Sequence, residues 1–151
     1  FRRVLFRSGL SIVNTATASA PAQPFDFDAF EDVPTTDLRI KDPNGLPTAM
    51  LITLAGPEHP DRKRRQFVRQ RKFRAEFAKA GKMPVTDPSD DYDDETDELV
   101  ACTLGWQGAA VAYSPSAART LYADPKRQWL RVQVKQALDE RDRFTRSSAA
   151  T

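Results

Sequence analysis

Three groups of residues have types and spacing that could do chemistry. His59 and Cys102 are the single histidine and the single cysteine of the chain. A Ser-His-Asp hydrolase needs a histidine that can shuttle a proton. His59 lies between Glu58 and Pro60, a setting that suits a turn or a helix cap better than a base. Zinc takes about four N or S ligands, which His59 and Cys102 do not supply. The second group is an acidic block of Asp87, Asp90, Asp91, Asp93, Asp94, Glu95, Asp97 and Glu98. It has oxygens enough for calcium or magnesium but lacks the central glycine and terminal glutamate spacing of an EF-hand loop. The third group is a run of Arg62, Lys63, Arg64, Arg65, Arg69, Arg71, Lys72 and Arg74. Such a run can follow a phosphate backbone, contact a protein, or form a solvated helix face. The six glycines are scattered and make no phosphate-binding loop. The expectation is a non-enzymatic protein with no catalytic residues, no metal and no cofactor.

The elements that position these groups can be read from local signals. Leu38 to Lys41 alternates apolar and polar residues, as a half-buried strand does. The run Asp42-Pro-Asn-Gly45 is a dense turn signal, and Met50 to Leu54 forms a second strand. A hairpin over 37–55 follows, and helices must cover its apolar face, because two strands alone are marginal in water. A basic helix is predicted over about 60–80, opened by Pro60 and stopped by Gly81. Phe73, Phe77 and Ala80 share one side of it, with Phe67 displaced. The acidic block is read as a loop over about 83–98, with its end capping a helix over about 95–106. That helix places Leu99, Cys102, Thr103 and Trp106 together. Ser114-Pro115 and Asp124-Pro125 are each a cap followed by a first helical residue. The second of them opens a helix to about 144, with Leu130, Val134, Ala137 and Leu138 as its apolar stripe.

The ends carry less. Arg2-Arg-Val-Leu-Phe-Arg-Ser8 resembles the translated end of a sequencing adapter, so residues 1–8 are expected to be non-native. The alternatives are a signal-peptide remnant, for which the apolar stretch is short, or a basic amphipathic arm. The chain has 23 Lys and Arg against 21 Asp and Glu. Without Arg2, Arg3 and Arg7 the balance becomes 20 against 21, and a net basic character no longer argues for nucleic acid. Residues 9–35 are rich in Ala, Ser, Thr and Pro and read as a flexible arm. Within it, Phe25-Asp-Phe-Asp-Ala-Phe30 reads as exposed linker, as a docking motif, or as an edge strand laid on the domain. Residues 36–146 form a single α+β domain, a small antiparallel hairpin followed by three to four packed helices, and 147–151 are expected to fray. One cysteine excludes an intramolecular disulfide. No apolar run approaches the roughly 20 residues of a membrane span.

The order of pieces over 37–144 carries a resemblance. The hairpin is followed by Gly56-Pro-Glu-His-Pro60 and the basic helix. Then come Ala101-Cys-Thr-Leu-Gly-Trp-Gln-Gly108, Tyr113-Ser-Pro-Ser116, Leu121-Tyr-Ala-Asp-Pro125 and Trp129-Leu-Arg-Val-Gln-Val134. This order resembles the tail assembly chaperones of long-tailed, siphovirus-type bacteriophages. The resemblance implies a non-enzymatic protein that binds the tape measure protein and supports tail-tube assembly. It implies action in the cytoplasm of the infected bacterium and absence from the mature virion. The tail-tube protein and a second copy of the chain are further partners to consider; nucleic acid and membrane are not expected. The family has no motif that assigns contact residues. The aromatic side of the basic helix, Phe67, Phe73 and Phe77, is the candidate partner-binding site, and packing of the same three residues on the hairpin is the alternative. The rival functions are a connector or tail-completion protein of the virion, and a nucleic-acid-binding accessory protein using helix 60–80.

Overall fold

A five-residue turn sets the central sheet. Asp42 Oδ1 accepts hydrogen bonds from the N–H groups of Asn44 and Leu46, each at 2.9 Å. Gly45 takes φ +84°, a left-handed conformation that costs glycine little. The computed structural model describes residues 23–148. Strands β1 (Phe30–Asp32), β2 (Thr35–Lys41) and β3 (Pro47–Ala55) open the fold. β2 and β3 pair antiparallel with Leu38 opposite Ile52. Their alternation buries Leu38, Ile40, Ile52 and Leu54 on one face.

Four helices follow: α1 (Pro60–Ala80), α2 (Pro88–Cys102), α3 (Pro115–Ala123) and α4 (Gln128–Asp139). Strands β4 (Thr103–Gln107) and β5 (Thr145–Ser147) complete an α+β architecture. The central sheet has the order β2-β3-β4, and β1 pairs with β5 in a separate two-stranded ribbon. The core joins the inner face of the sheet to α2, α3 and α4 through Leu99, Cys102, Ala118, Tyr122, Leu130, Val134, Ala137 and Leu138. The stripe expected on α4 is buried, while Val132 on its other side is exposed.

Several boundaries differ from those the sequence suggests. The acidic block is helix, not loop, from Pro88 onward. Asp87 caps it, accepting from the Ser89 N–H at 2.8 Å, the same chemistry as Ser114 before Pro115. Cations from α1, α3 and α4 pair with three of its carboxylates, Glu95, Asp97 and Glu98, and local sequence does not reveal them.

The same helix, α2, continues to Cys102 and ends there, so Thr103 and Trp106 lie in a strand rather than on a helix. The free edge of β3 supplies partners for this segment, and Ile52 pairs with Trp106. Trp106 packs edge-on against Tyr113, with ring centroids 5.1 Å apart. Just beyond, Gly108 lies so close to β3 that an added Cβ would stand 2.0 Å from the Ala49 carbonyl oxygen. Only a residue without a side chain fits there.

Asp124 and Pro125 open a 3-10 turn, Pro125–Arg127, and not the last helix, which begins at Gln128 and ends at Asp139 instead of continuing to 144. A 3-10 turn, Arg141–Phe144, redirects the chain into β5 and buries the Phe144 ring.

The arm is therefore ordered at its C-terminal end. Phe30 pairs with Ser147 and Asp32 with Thr145. The Val33 N–H donates to the Phe144 carbonyl, and the Gly56 N–H to the Pro34 carbonyl, both at 2.7 Å. Of the alternatives for Phe25 to Phe30, the strand begins only at Phe30. Phe25 and Phe27 are exposed and pack against each other. Ser147 belongs to β5 and not to a frayed tail. These pairings are non-local and too short to show a period. The rest of the arm, 9–22, and the tail residues 149–151 lie outside the described residues, as does segment 1–8.

Candidate partner interface

The basic helix begins as its sequence predicts. His59 is the N-cap, its Nδ1 accepting from the Asp61 N–H at 3.2 Å, and Pro60 is the first helical residue. Gly81 closes the helix, donating its N–H to the Phe77 carbonyl at 2.9 Å. His59 is thus held as a cap. Cys102 is buried at the end of α2, where desolvation pushes its thiol up to about 11. Among the described residues, no three His, Cys, Asp or Glu side chains group as metal ligands. No described helix is long and apolar enough to cross a membrane.

None of the 21 residues of α1 is buried. The helix is attached by charge. Arg62 donates to the carbonyls of Ala55 at 3.3 Å and Leu138 at 3.1 Å. Arg65 approaches Asp97 of α2 at 3.7 Å, and Arg69 bonds Glu98 at 2.7 Å. Arg119 of α3 also pairs with Asp97. Lys63 pairs with Glu58 and holds that carboxyl below the ordinary range. Exposed ion pairs of this kind are worth about 0–1 kcal/mol each, so α1 is held far less firmly than α4.

The three candidate phenylalanines stand in solvent: Phe67 is 54% exposed, and Phe73 and Phe77 are each 46% exposed. The alternative, that they pack on the hairpin, is not what the structure shows. Phe73 and Phe77 fall on successive turns of one side, as an i, i+4 pair must. Phe67 sits on a different side, so the helix carries a divided aromatic surface rather than one stripe. Val68 adds to it, and Met83 and Val85 expose further apolar area in the link to α2. Sequence reading missed these three. Exposed apolar residues singly are common; here four lie on one helix that buries nothing and two in the link after it.

The opposing charges of α1 and α2 meet over only part of their lengths. Arg65 and Arg69 are paired across to α2. Beyond them, Arg71, Lys72, Arg74 and Lys79 have no carboxylate within 4.0 Å among the described residues. The acidic block therefore pairs with the basic run at one end and not at the other.

A second cluster lies beneath α2. Arg131 of α4 is buried and spends its guanidinium on acceptors from α2 and α3. It bonds the Thr96 hydroxyl at 2.7 Å, the Tyr122 carbonyl at 3.2 Å, the Tyr92 carbonyl at 3.2 Å and the Glu95 carboxylate. Its charge also lies 3.8 Å from the centroid of the Tyr92 ring. Tyr122 bonds the Thr103 hydroxyl at 2.7 Å, and burial pushes its phenol up to about 12. Among the described residues no buried side-chain polar atom lacks a partner. This saturation makes the cluster a structural clamp with no donor left over for a ligand.

Comparisons of the chain with protein-family models, with curated proteins and with solved structures return no match.

Proposed function

We propose that the protein is a non-enzymatic assembly chaperone of phage tails that binds the tape measure protein while the tail tube forms around it. The observation that carries the reading is α1: a 21-residue helix with no buried residue, presenting Phe67, Phe73 and Phe77 amid nine basic side chains. An unassembled tape measure protein exposes long apolar seams that self-associate. A partner offering aromatic rings among charges covers such seams and keeps the complex in solution. The resemblance in the order of elements over 37–144 supports the same reading. Binding requires neither nucleotide nor metal.

Co-expression with the tape measure protein of the same phage, followed by affinity capture, tests it. The expected result is a raised soluble yield and recovery of both chains together. An insoluble tape measure protein that never co-purifies would reject the proposal.

Nucleic-acid binding is the second reading, favoured by Arg71, Lys72, Arg74 and Lys79, which have no ion-pair partner among the described residues. It predicts a mobility shift that weakens steeply with salt, because phosphate binding releases counterions. The chaperone reading predicts little shift near physiological salt, since the seven carboxylates of α2 stand beside the same helix.

A further inference from the structure

We propose that α1 is a charge-latched cover that swings away from α2 and α4 as a unit and uncovers the thiol of Cys102 with the apolar side chains beside it. The helix spans clefts instead of packing into them. A cavity of about 620 Å³ is lined by Arg62 and Arg69 of α1, by Leu99 of α2 and by Leu138 of α4. A second, of about 260 Å³, lies between Arg62, Arg65 and Arg69 of α1 and Glu98 and Cys102 of α2. Leu99, Cys102 and Leu138 are 2%, 1% and 7% exposed. On this side they are shielded by a helix that itself buries no residue.

Few contacts hold the cover down. Arg62 bonds the carbonyls of Ala55 and Leu138, Arg65 approaches Asp97, and Arg69 bonds Glu98. Beyond Arg69, no ion pair among the described residues joins α1 to another element. The turn at 56–59 is the pivot, and the Gly56 N–H keeps it fixed to the Pro34 carbonyl. Gly81, at φ +65°, begins a link to α2 at 81–87 that has no regular structure. Extended, a link of that length reaches roughly 25 Å, enough for α1 to clear α2. Hinges of this kind absorb the backbone change while the helix stays intact. An element with no buried apolar area and exposed polar contacts opens at far lower cost than the core does. Two of its attachments are exposed ion pairs, which salt screens. Opening leaves the core shared by the central sheet, α2, α3 and α4 in place. The inference stands apart from the identity of any tail partner and from the phenylalanines of α1.

Reaction of Cys102, the single cysteine of the chain, with the uncharged reagent N-ethylmaleimide tests it on the full chain. Each rate is divided by that of the urea-unfolded chain at the same salt. The ratio is then compared with the globally unfolded fraction from a urea titration. It should exceed that fraction at least about tenfold, because the thiol is reached with the core intact. Between about 0.05 M and 0.5 M salt it should rise at least about threefold, and by more than the unfolded fraction does. Arg65→Ala with Arg69→Ala removes both cross-helix pairs; it should raise the ratio by a similar factor at low salt and make it indifferent to salt. Arg71→Ala with Arg74→Ala removes as much charge from α1 but neither pair, and should leave the ratio unchanged. Should the first variant not fold, the ratio of the unaltered chain and its salt dependence still decide. A ratio equal to the globally unfolded fraction overturns the proposal, because the thiol is then reached only through the core. So does a ratio that neither salt nor the first variant changes, or a response of the same size in the second variant.

Discussion

Arg131 and Thr96 meet inside the protein, the guanidinium Nη1 donating to the threonine hydroxyl at 2.7 Å with both side chains shut away from solvent. The contact joins α4 to α2, and the remaining guanidinium donors reach Glu95, Tyr92 and Tyr122. A charge is tolerable here because every donor finds an acceptor and a carboxylate stands beside it.

Arg131→Ala should therefore rank among the most destabilising substitutions. It empties a packed volume and removes the hydrogen bonds to Thr96, Glu95 and the carbonyls of Tyr92 and Tyr122, a loss of about 3–5 kcal/mol. Arg131→Lys should fall between, since an ammonium keeps the charge but not the planar fork. Urea titration of the three proteins checks the order. Equal midpoints would show that the clamp contributes nothing.

Glu95 links this clamp to pH. The Lys135 ammonium bonded to it holds its carboxyl below the usual 4.5; partial burial opposes this, and Arg131 assists. The unfolded chain, with the higher value, takes up the proton first. Between the two values it binds more protons than the folded protein, so stability rises with pH in that window. The contribution is complete above about 4.5 and is lost as pH falls through the folded value. Glu95→Gln should flatten the acid limb of a stability-against-pH curve measured below pH 5 and leave its slope near neutrality unchanged.

The ribbon of β1 and β5 makes the arm's end structural. Removing residues 1–34 deletes β1, its pairing with β5 and the hydrogen bond from Val33 to the Phe144 carbonyl. Thermal unfolding should shift down by roughly 5 °C or more. Phe144→Ala in the full chain should cost about 3–5 kcal/mol. A truncated chain that melts with the parent would return the whole arm to the linker that its composition suggests.

Function and stability should separate on α1. Phe73→Ser with Phe77→Ser changes two half-exposed rings on a helix that buries nothing, so unfolding should move by less than about 1 kcal/mol. Capture of the tape measure protein should fall severalfold. A double variant that captures as well as the parent would place the contact elsewhere; one that unfolds would show that the rings pack after all.

Local sequence determined the parts whose causes are local. The turn at 42–45, the cap of His59 before Pro60, the stop at Gly81, the cap of Ser114 and the buried stripe of α4 each depend on neighbours a few residues away. The basic helix and its phenylalanines were legible for the same reason. Whether those rings pack on the hairpin or face water was not, because α2, α3 and α4 compete for the same sheet face and win it with apolar area that α1 lacks. The cap of Asp87 before Pro88 was equally local, but the cations that pair with Glu95, Asp97 and Glu98 come from Arg65, Arg69, Arg119, Arg131 and Lys135 on other elements. Tertiary structure made Trp106 a strand residue by offering the edge of β3. It buried Arg131, which looks like one more polar residue beside an apolar stripe until five acceptor contacts from two other helices converge on it. Hydrogen bonds and charges between distant segments carry no period along the chain, and that is why only the folded arrangement reveals them.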